Sequence, residues 1–554
     1  MTKLRPGFLG VGAFITALIT FLIFYTARDN QFVALDDLEY IVLNTRIETF
    51  GWDTVLWSLS SFYLGNWHPL AMISLALDRC IWGLNPYGFH LTNIVIHCCT
   101  VFCACYLFST VFRAANYSQC AINTTSHTAL DMQDQPAVLS PSGIIIGSIA
   151  AALLFGLHPL RVESVVWASE RKDVLCMFFM TTSIWMYIRY AVRRFTISEL
   201  PYWRSREYSF ALFLAMLAQM SKPTAVSLPL ILCIVDWYPL KRITDTTTLI
   251  RSLSEKIPFI VVSVVGTVLT LFAQQIAMVN APKVDLFSRL LIACKALLFY
   301  LAATAYPSGL TAYYIHPGKI GPSELPEYLV YATIVISISS IIFLVGRKHP
   351  EWPAFWLYYV ISLTPMLGLV QVGGQWAADR YSYLPSLGIA LLWGGLIARV
   401  HDRIRRGNTV WAARLFIVFA CAQLLYYSVL TLRQIPVWRT TETLATRIIE
   451  EYPHRSGAPY LARANFRNLS GRYEDALADI GEAMRISLGS GLTNTYPEIA
   501  YEQAAILKNL GRYSEAAAIA EWGVQVSTGP ASPDVLQLRY DLKTLAAGKH
   551  SGKQ

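Results

Sequence analysis

Apolar runs of about membrane-spanning length recur through the first 432 residues, and the short loops between them carry most of the charge. A crossing helix needs roughly 20 consecutive apolar residues. The candidates are 8–27, 89–112, 142–158, 174–192, 208–220, 223–238, 257–274, 288–306, 327–346, 352–370, 382–399 and 410–432. The stretch 67–84 is more polar and reads as an amphipathic helix lying in the interface. Beyond Leu432 the hydropathy falls and a second pattern takes over. Leu469-Ser470-Gly471-Arg472-Tyr473-Glu474-Asp475-Ala476-Leu477 returns as Leu510-Gly511-Arg512-Tyr513-Ser514-Glu515-Ala516-Ala517, with its glycines 40 residues apart. That is the turn and second helix of a tetratricopeptide (TPR) unit, whose regular step is roughly 34 residues. Ser487 to Thr495 supplies the extra loop, and a last helix is expected from Pro533 to Ala547.

The pattern predicts an all-α protein: a polytopic membrane helical bundle over residues 1–432, with a first outer loop at 28–88, then a TPR-like helical domain over 433–554. Basic flanks set the orientation. Lys3 and Arg5, Arg193 and Arg194, Lys241 and Arg242, Arg347 and Lys348, and the group Arg399, Arg403, Arg405, Arg406 belong in the cytoplasm. Asp36-Asp37, His158 to Lys172, Ser221-Lys222, Tyr306 to Glu327 and Gln371 to Tyr381 then face outward. These sides require an odd number of crossings. The run 288–306, which carries Arg289 and Lys295, is therefore demoted to a re-entrant or interfacial helix, leaving about eleven spans.

Composition agrees with a membrane protein: 54% of residues are hydrophobic and 15% charged, against roughly 25% charged in soluble domains. Most of the net charge of +9 lies before Leu432. It fits positive-inside topology and contact with anionic membrane lipids, not nucleic acid. Of the ten cysteines, eight (among them Cys98, Cys176 and Cys294) fall in apolar runs as packing residues, and no zinc-like spacing occurs. The run from Phe8 to Ala27 is a first anchor, since no small-residue cleavage pattern follows it.

Chemistry concentrates in the outer loops. Two adjacent carboxylates, Asp36-Asp37, repel each other and belong in water or against cations. A carboxylate in such a loop can withdraw a hydroxyl proton as a new bond forms; its bland counterpart is a solvated turn. His158, Glu163, Glu170, Arg171, Lys172 and Asp173 frame the next outer turn, where charges between spans must pair or meet an ionic ligand. Asp173 can equally cap its helix. Lys222, ahead of Pro223, marks a broken helix whose cation can face a cavity and a phosphate. Arg380 can take two phosphate oxygens at once; the alternative is a surface pair with Asp379 inside an aromatic belt of Trp376, Tyr381 and Tyr383. His68 and His90 carry less weight.

Together these segments resemble the TMTC protein O-mannosyltransferases and their bacterial relatives within the GT-C membrane glycosyltransferases. The resemblance rests on Asp36-Asp37 with Asn44, on Leu84 to Asn93, on His158-Pro159 with Glu163, Arg171 and Asp173, on Ser221-Lys222, on Arg380 to Gly388 and on the TPR tail. It implies a GT-C fold and an inverting transfer of sugar from a polyprenyl-phosphate donor to a hydroxyl, of the protein Ser/Thr kind. It also implies Asp36 or Asp37 as base, and Lys222 and Arg380 on the donor phosphate. Glu163, Arg171 and Asp173, with His158 and Tyr381, would shape the sugar and acceptor site. The acceptor, a protein or a glycan, would be met through the TPR region. The sequence departs from the family at His68, Pro223 and Asp379 and in its short TPR array, which favours a bacterial inner-membrane enzyme with its site and TPR domain periplasmic, or an ER-membrane enzyme if the source is eukaryotic. No cofactor is implied; an aspartate pair can hold a divalent cation, but the resemblance argues against a metal. Two other readings compete: a ligase or polymerase of lipid-linked glycans, and a non-enzymatic TPR membrane scaffold.

Overall fold

The computed structural model describes residues 7–125, 138–197, 201–274, 284–370, 374–407, 410–490, 496–526 and 537–545. Lys3, Arg5, part of the loop before Tyr496 and the start of the last helix at Pro533 lie outside them. The described chain is helical almost throughout; its strand pair, Tyr314–Ile315 against Gln375–Ala377, is short and antiparallel.

Two compact units form, Met1–Asn30 with Asp36–Pro436, and Gln31–Leu35 with Val437–Gln554. In the first, seven described helices are long and apolar enough to cross a membrane: Gly7–Asp29, Pro86–Tyr117, Ala168–Arg194, Thr246–Ala273, Leu286–Ala305, Leu325–Val345 and Trp411–Trp438. Pro141–Leu157 and Pro159–Val166, bent by 57° where Pro159 cannot continue the ladder, make an eighth if counted as one span. The other expected runs are helical but shorter or more charged: Arg206–Ser221, Leu228–Trp237, Glu351–Leu363, and Pro385–Arg405 with its basic last turns.

One expectation needs correction. The run demoted for its charges, 288–306, is a continuous 20-residue helix, Leu286–Ala305, of spanning length. Its cations are satisfied locally: Arg289 donates to the Val284 and Leu369 carbonyls, and the Lys295 ammonium faces the Tyr328, Tyr331 and Trp376 rings. A charge so placed does not disqualify a span.

The helices Pro141–Leu157 and Pro385–Arg405 touch backbone to backbone. A Cβ on Gly147 would stand 2.5 Å from the Gly394 carbonyl oxygen, and the reverse substitution is at least as crowded. Only glycine at both positions permits that approach. At the end nearer Ser140, the pair is tied by Asp402, which accepts from the Ser140 backbone N–H at 2.7 Å.

In the second unit, Ala458–Leu469 pairs with Tyr473–Ser490, and Tyr496–Asn509 with Tyr513–Gln525. Both pairs turn through a left-handed glycine, Gly471 (φ 77°) and Gly511 (φ 73°). The residue after each glycine donates back five positions, Arg472 to Arg467 and Arg512 to Leu507, closing both helix ends in the same way. Small residues, Ala464, Ala476 and Ala483 in one pair and Ala504, Ala516 and Ala520 in the other, let the helices pack closely.

Candidate active site

The Pro159 bend and the broken helix at Lys222–Pro223 bring the loop charges together in the first unit. The cluster centres on Glu170, a buried carboxylate at the start of a spanning helix. Around it stand three cations: Lys172 at 3.3 Å, Lys222 at 3.5 Å and Arg380 at 3.5 Å. Each also holds a second acid. Lys172 reaches Asp36 at 2.9 Å, Lys222 is paired with Asp173, and Arg380 with Glu163, which accepts the Arg380 backbone N–H as well, at 2.8 Å. Segments as far apart in sequence as Asp36 and Arg380 thus share one continuous network.

The aromatic walls are Tyr40 and Trp167 against the Lys172 ammonium, and Trp167 and Tyr381 against the Arg380 guanidinium. Burial pulls the Lys222 ammonium towards neutrality, but Asp173 and Glu170 outweigh it and hold it above the ordinary lysine range. Arg380 is pushed up in the same sense against burial, chiefly by Glu163. His68 borders this cluster. Burial, then the charges of Lys172 and Lys222, lower its imidazole to about 3, so it is neutral.

The two aspartates of the loop after the first helix separate into different roles. Asp37 is fully buried and accepts the Ser169 backbone N–H at 2.8 Å, fastening the loop to the turn before Glu170. Asp36 stays 44% exposed and is bound to the network through Lys172. Asp36 is the carboxylate that an incoming group can reach.

Five of the other expected site residues, Lys222, Arg380, Glu163, Asp173 and Tyr381, lie in or against the cluster. Two do not. His158 Nε2–H donates to the Thr304 carbonyl, and the ring packs on Tyr427. Arg171 faces away and is consumed by Asp78 (2.5 Å), Asn93, Ser74 and the Phe89 carbonyl. Both are buried among protein partners. Glu170 and Lys172, quoted in the sequence only as part of a charged turn, are the members sequence reasoning underweighted. The usable signal was spacing: Glu170 and Asp173, three apart, share a helix face, while Arg171 points off it. Among the described residues no group of three or more His, Cys, Asp or Glu side chains is arranged to hold a metal ion.

No family model matches the chain. Human protein O-mannosyl-transferase TMTC1 is 22% identical over 483 residues, which is 80% of this chain and 49% of that protein. Mouse TMTC4 is 26% identical over 181 residues, 30% of this chain and 22% of the relative. The Drosophila melanogaster Tmtc1 protein is 28% identical over 169 residues, 30% and 15% of the two chains. This chain therefore spans less than half the length of these curated relatives. Among solved structures, ArnT from Cupriavidus metallidurans bound to undecaprenyl phosphate overlaps 92% of this chain and 79% of its own at 14% identity, with a TM-score of 0.34 too low to carry weight. By sequence, the chain is similar to the TMTC protein O-mannosyl-transferases.

Proposed function

We propose that the chain is an inverting GT-C glycosyltransferase that moves a sugar from a polyprenyl-phosphate donor to a hydroxyl, of the protein Ser/Thr kind, on the non-cytoplasmic side of a bacterial inner membrane. The observation that carries this reading is the single network joining an accessible carboxylate, Asp36, to two buried cations, Lys222 and Arg380, at the boundary of an apolar bundle.

In the reaction the acceptor oxygen bonds to the anomeric carbon as the bond from that carbon to the phosphate oxygen breaks. The acceptor proton passes to Asp36, and the negative charge stays on the departing lipid phosphate. Asp36 is poised for this because its partner, Lys172, has Glu170 as an alternative at 3.3 Å and can release it. Lys222 and Arg380 meet the charge that develops on the leaving phosphate. Glu163, Glu170 and Asp173 hold those cations in place and keep them protonated, so no reorganisation is needed at the moment of transfer. Asp37 positions the loop. The helix pairs of the second unit, read as TPR units, offer a surface for a peptide acceptor.

The test is transfer by purified protein from a polyprenyl-phosphate sugar to a hydroxyl peptide. Asp36→Asn should lose about 10²–10⁴-fold in rate while keeping donor binding and thermal stability. Asp37→Asn should instead lose stability, by about 1.5–3 kcal/mol for a charged hydrogen bond. An Asp36→Asn variant that transfers at the parent rate would remove the base from the mechanism.

A further inference from the structure

A second feature of the first unit lies away from the charged cluster. A cavity of about 1290 Å³ runs between the helices, with walls that are mostly apolar. This exceeds the roughly 300–1,000 Å³ of sites for compact small ligands. One end is near Thr304 and Tyr427; the other opens among Lys241, Lys348 and Arg399. Arg399 lies 14 residues along its helix from Pro385, just after the Arg380 loop. At 1.5 Å per residue that is a rise of about 20 Å. The basic mouth is therefore at the end of the bundle remote from the candidate active site.

The mouth is built for an anion. None of its three cations is engaged in an ion pair among the described residues; Glu351, the lone carboxylate in the lining, lies 3.2 Å from His349 and near enough to act on Lys241, which leaves the lining with a net positive charge. Lys241 has a left-handed backbone (φ 52°), a conformation that a non-glycine residue adopts only when its surroundings impose it. They do so here: Arg242, the next residue, is anchored by Asp236 and Glu255, and its N–H donates to the Asp236 carbonyl. Deeper in, Trp393 and Gln423 line the cavity, and Trp393 Nε1 and Gln423 Oε1 have no protein partner among the described residues.

We infer that this cavity binds an anionic acyl lipid, with its phosphate at Lys241, Lys348 and Arg399 and its acyl chain between the helices. Basic pockets between spanning helices recognise such headgroups. The unpartnered Trp393 indole N–H suits an ester carbonyl, an acceptor that a bare polyprenyl chain lacks. This site is separate from the donor phosphate of the proposed reaction and does not depend on that reading.

The full chain, purified and stripped of lipid, is titrated with phosphatidylglycerol, phosphatidylcholine, a polyprenyl phosphate and inorganic phosphate, with bound lipid read by native mass spectrometry. Phosphatidylglycerol should bind at least about 10-fold more tightly than phosphatidylcholine. The double variant K348E/R399E should abolish that preference, and Lys222→Ala should leave it intact. Leu392→Trp, which fills the cavity without touching the mouth, should weaken phosphatidylglycerol by a similar factor and serves if the charge reversal does not fold. Equal binding of the two phospholipids, or a preference that survives both variants, overturns the proposal. So does tightest binding of the polyprenyl phosphate with loss on Lys222→Ala, which would make the cavity the tail channel of the other site. Binding of inorganic phosphate as tight as that of the lipid would exclude a role for the acyl chain.

Discussion

Replacing Glu170 by Gln changes almost no volume but removes the one negative charge that Lys172, Lys222 and Arg380 share. Their nitrogens stand at 3.3, 3.5 and 3.5 Å. At an effective dielectric of about 20, each contact is worth about 5 kcal/mol of gross attraction. Most of that is offset by the cost of burying the carboxylate and by repulsion from its acidic neighbours, and each cation keeps a second acid. Stripping one partner from a buried ion cluster typically costs about 3–5 kcal/mol, and Glu170→Gln should fall in that range. Function should suffer by a different route. Glu170 is buried and paired to Lys222 and Arg380, so its loss loosens those cations and should raise KM for the lipid donor more than it lowers kcat. Thermal unfolding in detergent reads the first effect and donor-dependence kinetics the second. Wild-type thermal stability together with unchanged donor KM would refute the idea that Glu170 organises the cations.

Other outcomes follow from neighbouring groups. His68 has its imidazole lowered from 6.5 to about 3, so its contribution to stability is complete above pH 6.5 and is lost as pH falls towards 3. At about 1.4 kcal/mol per pH unit, acidification to pH 4.5 should remove up to about 3 kcal/mol, and His68→Gln should flatten that part of the profile; parallel profiles would count against it. Burial and Glu163 raise the Asp379 carboxyl well above its ordinary range, so its stabilising effect is present below pH 3.8 and declines as pH rises. Asp379→Asn keeps an acceptor for the Tyr314 hydroxyl (2.7 Å) and should gain on the parent in unfolding temperature between pH 5 and pH 7. Arg171→Lys cannot reproduce the fork that serves Asp78, Asn93, Ser74 and the Phe89 carbonyl, and should lose about 3 kcal/mol in a denaturation assay despite keeping its charge.

Hydropathy alone made the helical bundle and the change of pattern after Leu432 legible, because burial in lipid leaves a signal in every residue of a span. The 288–306 run was demoted because sequence shows a lysine but not the three aromatic rings that face it. At the site, Asp36, Glu163, Asp173, Lys222 and Arg380 were recognisable as charges that cannot lie idle between apolar runs. Their assembly around Glu170 was not, since the Asp36–Lys172 pair joins segments 136 residues apart. Arg171 shows the same limit from the other side. Charged and adjacent to the hub in sequence, it is rotated by about 100° on the helix and spends its donors on a different set of partners. His158 shares its loop with Glu163, yet the Pro159 turn directs the two apart.

The contact between Gly147 and Gly394 bears on the partnership of Glu163 and Arg380. Glu163 comes just beyond the helix that contains Gly147, and Arg380 just ahead of the helix that contains Gly394. Ten residues of helix lie between Gly147 and Leu157 and nine between Pro385 and Gly394, so the glycines act as a clamp some 15 Å down the two shafts. Any side chain inserted there would pry the shafts apart and swing their tips in opposite directions. A salt bridge would then come undone through a change at a place with no charge at all.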